Sequence, residues 1–90
     1  MATPAQVAND MAAYADFWLK RDKNLHADCR DAARLIRAFL NGQPVDGRTY
    51  GGVHRRLSNR ANMAARSMAY GLPNFDRALA TLIKLRADSK

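Results

Sequence analysis

Ninety residues allow one small domain and no second core. The chain holds 25 large apolar side chains and 17 alanines, but a domain this size buries only roughly 60–65% of its unfolded surface, which argues against a deep, enclosed active-site cavity. Eleven Arg and four Lys oppose eight Asp and no Glu, giving +7, a balance that turns attention toward anionic partners.

No run of residues approaches the ~18 apolar positions a membrane span needs. The opening Met1-Ala2-Thr3-Pro4 shows neither the basic nor the apolar segment of a signal peptide. The expectation is a soluble, cytoplasmic protein. The single Cys29 can form no internal disulfide and cannot anchor a cysteine-based metal site alone, so stability must come from packing, with or without a second copy of the chain. Ala, Arg and Leu, all strong helix formers, fill 37 positions, while Val and Ile fill only five. The reading is an all-α bundle of about four helices.

The first helix starts where Thr3 can cap, Pro4 fits the first turn and Gln6 completes a capping box. Val7, Met11, Tyr14 and Trp18 then follow at spacings of four, three and four, one face of a helix, with Phe17 placed to widen that stripe. The polar stretch Lys20 to Asn24 interrupts the pattern. Leu25, Cys29, Ala32, Ile36 and Phe39 resume it until Asn41-Gly42, a common helix stop. Either a bend near Asp22 to Asn24 makes a helical hairpin, or one helix runs from Pro4 to about Leu40. The latter would be about 55 Å long, more than a 90-residue globule is wide. The hairpin is the preferred reading.

Gln43 to Gly47 reads as a turn. A third helix is expected to begin near Arg48 to Gly51 and to end at Gly71, with Tyr50, Val53, Leu57, Ala61, Ala64 and Met68 on its inner side. After the Leu72-Pro73 break, Asn74 caps a short last helix carrying Phe75, Leu79, Leu82, Ile83 and Leu85.

Charge is distributed unevenly along these elements. Met1 to Gly42 carries +1, Gln43 to Leu72 carries +4, and Pro73 to Lys90 carries +2. No acidic residue occurs in the 29 positions between Asp46 and Asp76. Projected at about 100° per residue, Arg55, Asn59, Asn62, Arg66 and Tyr70 fall opposite the apolar stripe of the third helix. Arg56 and Arg60 form a pair on one flank. Guanidinium groups suit phosphate or guanine, side-chain amides suit adenine, and an aromatic ring can stack on an unpaired base.

Candidate chemistry is thin. His26 and Cys29, three apart with Asp22 nearby, are fewer ligands than a structural zinc site uses, so no metal is expected. Cys29 reads as a buried, inert thiol and His26 as a surface residue interacting with Asp22 or Arg30. Asp28 and Asp31 sit among Arg30, Arg34 and Arg37, a helix-surface ion-pair pattern more than a general acid–base pair. Gly51-Gly52 lacks the glycine spacing of a phosphate-binding loop. The chain is therefore read as a non-enzymatic binding protein without a cofactor.

The leading expectation is nucleic-acid binding, DNA or RNA, through the third helix: Arg55, Asn59, Asn62, Arg66 and Tyr70 on the contact face, with Arg48, Arg56 and Arg60 anchoring phosphates. The alternative is a small adaptor or inhibitor that docks on an acidic or nucleic-acid-handling assembly. Its anchor would be the same arginine face or a Tyr14/Phe17/Trp18 ridge. A homodimer is also open.

Overall fold

Thr3 starts the first helix as its spacing from Gln6 suggests. Its hydroxyl accepts the Gln6 N–H at 3.2 Å, and the Gln6 side chain accepts the Thr3 N–H at 2.8 Å. In the computed structural model, which describes residues 3–67 and 74–89 with the backbone alone for 64–67, four helices follow one another: α1 (Pro4–Trp18), α2 (Lys23–Leu40), α3 (Gly47–Ser67) and α4 (Phe75–Asp88). No strand occurs among the described residues. The fold is a small all-α bundle.

The chain adopts the hairpin reading of the first forty residues, and each of the last four carbonyls of α1 finds a partner in the turn, although the buried Trp18 Nε1 has none among the described residues. A helix leaves its last four carbonyls without intrahelical donors. In α1 these are Ala15, Asp16, Phe17 and Trp18. His26 Nδ1 meets the Ala15 carbonyl at 2.7 Å, the Leu19 N–H donates to Asp16, and Arg21 Nη1 donates to Phe17 at 2.9 Å. The Trp18 carbonyl accepts from the N–H groups of Arg21 and Asp22. Asp22 then opens α2, its carboxylate accepting the N–H groups of Asn24 and Leu25, both at 3.1 Å. His26 is therefore a half-buried bridge between the two helices, not the surface residue expected to interact with Asp22 or Arg30.

The other end of α2 closes on Gly42, whose φ of +70° is the left-handed conformation that a side chain disfavours. Gly42 N–H donates to the Phe39 carbonyl and Gln43 N–H to that of Ala38, the two bonds of a Schellman stop. Asp46 opens α3 by accepting the Thr49 N–H at 2.6 Å, and Asn74 opens α4 by accepting that of Arg77 at 2.9 Å.

One core joins all four helices. Met11, Cys29, Ile36, Leu57, Phe75 and Leu82 are its largest fully buried side chains. Alanine lets the helices approach closely: Ala8 and Ala15 on α1, Ala32 and Ala33 on α2, and Ala78 on α4 are buried. Two apolar positions depart from expectation. Phe17 does not widen the α1 stripe but stands 50% exposed, and Ile83 is 48% exposed while Ala78 takes the inward position. The expected inner positions Ala64 and Met68, and the break at Gly71 to Pro73, lie outside the described side chains.

Candidate nucleic-acid interface

The outer side of α3 follows from where its inner side is pinned. Val53, Leu57 and Ala61 are buried, with Tyr50 half-buried beside them. Spacings of three and four fix one face inward, so Arg48, Arg55, Asn59 and Asn62 turn outward, and all four are exposed. They lie in one row along about 21 Å of helix, at 1.5 Å per residue. Among the described residues, no carboxylate lies within ion-pair distance of Arg48 or Arg55. Asp46, the acid nearest in sequence, is turned to the helix start. The Thr49 N–H bonded to it holds its carboxyl below the usual carboxylate range.

The expected anchors Arg56 and Arg60 behave differently. Arg56 Nη1 contacts Asp28 Oδ1 and Asp31 Oδ2, each at 3.0 Å, and Arg60 Nε contacts Asp28 Oδ2 at 2.8 Å. Burial works against the charge on Arg56, but the two aspartates outweigh it and push the guanidinium pKa up. The third helix thus does not present five uncompensated arginines. Although it has no acid of its own beyond its start, α2 supplies two aspartates across the interface, and these neutralise one flank.

This also revises the reading of Asp28 and Asp31. Asp31 pairs with its neighbour Arg30 at 3.4 Å, as a surface pair would, and also with Arg56, whereas Asp28 is buried and, among the described residues, takes its ion pairs from α3 alone. The signal lay in its register. Asp28 sits three after Leu25 and four before Ala32, on the flank of the apolar stripe, where a carboxylate requires partners. Arg66 belongs to α3 with its side chain outside the described residues, and Tyr70 lies outside them altogether. Arg34, which the sequence reading grouped with the helix-surface pairs, is instead exposed beside Arg48 along a furrow between α2 and α3.

The aromatic trio on α1 does not form one exposed ridge. Trp18 and Tyr14 are half-buried against the core, and Phe17 makes a T-shaped contact with Trp18, ring centroids 5.0 Å apart, with the Arg21 guanidinium over the Phe17 ring at 4.3 Å. Cys29 is fully buried, and burial together with the neighbouring Asp28 pushes its thiol pKa up to about 12. A thiol held protonated in this way is a poor nucleophile and a poor metal ligand. Among the described residues no three His, Cys or Asp side chains gather as a metal cluster would require, and no helix is long and apolar enough to cross a membrane. Compared with family models, characterised proteins and solved structures, the chain matches none.

Proposed function

We propose that this chain is a non-enzymatic nucleic-acid-binding protein that uses the outer side of α3. Arg48 and Arg55 make the phosphate contacts, and Asn59 and Asn62 reach sugars or base edges between them. Arg56 and Arg60 act one step back. Through Asp28 and Asp31 they fix α3 against α2 and hold the outer row in place. The observation that carries this reading is the row itself: two exposed guanidinium groups and two exposed amides on one helix side, with no carboxylate in reach among the described residues. The overall +7 adds long-range attraction for a polyanion.

Salt dependence tests it directly. Labelled duplex and single-stranded oligonucleotides, followed by fluorescence anisotropy, should bind with affinity that falls steeply between roughly 50 and 200 mM salt. Arg48→Ala combined with Arg55→Ala should reduce the salt slope by about two while the circular dichroism stays helical. Affinity that hardly responds to salt, or a double variant that binds as the natural chain does, would remove the basis for this function.

A further inference from the structure

We infer that the furrow between the second half of α2 and the first turns of α3 is a docking groove for an acidic peptide segment of a partner protein, anchored by an apolar side chain. The furrow has a volume of about 600 Å³, within the range of ligand-binding clefts. Leu35 and Val53, both buried, and half-buried Val45 form its apolar floor. Arg34 and Arg48 stand exposed on its margins, and neither has a carboxylate partner among the described residues. Of the two aspartates along the furrow, Asp31 pairs with Arg30 and with Arg56, which lines the furrow too, while Asp46 accepts the Thr49 N–H and keeps its negative charge. Arg34, Arg48 and Arg56 thus set three guanidinium groups against two carboxylates, and an arriving carboxylate meets a net positive lining in which Arg34 and Arg48 have no ion-pair partner among the described residues.

Gly52 points the same way. It lies inside a helix with an ordinary negative φ, and a Cβ there would meet nothing within 4 Å. Neither backbone conformation nor close packing within the chain calls for glycine at this position, and glycine weakens a helix interior. What the missing side chain does is widen the furrow it lines. A phosphodiester strand brings charge but no apolar side chain to cover Leu35, Val45 and Val53. A peptide that sets carboxylates beside an apolar residue supplies both. The groove lies beside the Arg55, Asn59 and Asn62 row, with Arg48 at the edge of each, and it does not depend on the nucleic-acid reading.

The test uses the full chain and a short fluorescein-labelled peptide of alternating Glu and Leu, followed by anisotropy. Saturable binding is expected, and Gly52→Leu, which fills the furrow, and Arg34→Ala should each weaken it by about tenfold or more. Arg55→Ala should leave peptide affinity within about twofold while weakening oligonucleotide binding. Arg34 is exposed, so its variant decides the matter even if Gly52→Leu does not fold. Equal binding of a Glu and Ser peptide, no saturable binding at all, or full affinity in the folded Arg34→Ala variant would each overturn the groove. Loss of oligonucleotide binding alone would count against the proposed function and leave the groove standing.

Discussion

Arg60 Nε meets Asp28 Oδ2 at 2.8 Å while Arg56 Nη1 takes the other oxygen of the same carboxylate at 3.0 Å, so one buried aspartate holds two turns of α3 against α2. Asp28→Asn removes the charge from this tie and keeps its size. The loss of two charge-assisted hydrogen bonds should cost about 1–3 kcal/mol in urea unfolding, toward the lower end because both guanidinium groups can turn to water. The same change frees Arg60 of its carboxylate and leaves Arg56 with Asp31 alone, which raises the positive charge beside the outer row. If the row binds nucleic acid, Asp28→Asn should bind oligonucleotides more tightly than the natural chain and with a steeper salt slope. A variant that is less stable yet no stickier would show that charge on this flank has no part in binding.

Asp22 ties two elements in another way, its carboxylate capping α2 while its backbone N–H donates to the Trp18 carbonyl at the end of α1. Asp22→Ala leaves the Asn24 and Leu25 N–H groups to water and should cost about 1 kcal/mol, seen as a Tm lower by roughly 4–8 °C. Asp22→Asn, which keeps the accepting oxygen, should recover most of it. Equal losses in the two variants would mean that charge, and not the cap, is what matters there.

The helices were legible because each signal was local. The Thr3 and Gln6 box, the Asn41-Gly42 stop and the Asn74 cap act within a few residues of themselves, and each appears where its chemistry requires. The hairpin followed from length, since a 55 Å rod cannot fit a bundle whose longest dimension is 36 Å. The ion pairs were not legible, because Asp28 and its partners lie 28 and 32 residues apart and only the helix packing brings them together. Phe17 misled for a related reason: its spacing allowed an inward position, but small alanines filled the α1 seam, and the ring stayed outside with Arg21 above it.

Two glycines should respond to the same substitution with opposite sign. Gly42→Ala forces a side chain into φ +70° and should cost about 1–2 kcal/mol. Gly51→Ala adds a methyl to an exposed helical position where nothing lies within 4 Å, and should gain up to about 1 kcal/mol. Thermal unfolding of the two variants checks both statements. A destabilised Gly51→Ala would mean that the start of α3 is held in a conformation other than the regular helix described.

Alkaline pH should destabilise the fold through Cys29. In the unfolded chain the thiol ionises near the ordinary value of about 8.5, whereas in the folded chain it stays protonated to about 12. The folded state therefore holds the proton more tightly. Its contribution is complete below about pH 8.5 and declines as pH rises toward 12, at up to about 1.4 kcal/mol per pH unit. The informative quantity is the difference between the natural chain and Cys29→Ala, measured by urea unfolding under reducing conditions, because everything the two share cancels in it. The natural chain should lose its advantage over Cys29→Ala progressively as pH rises from about 8.5 toward 12. Thiol-reagent labelling gives an independent check, because a fully buried sulfur reacts only when the bundle opens. Labelling at the rate of a free peptide thiol in native buffer would contradict both the burial and the pH dependence.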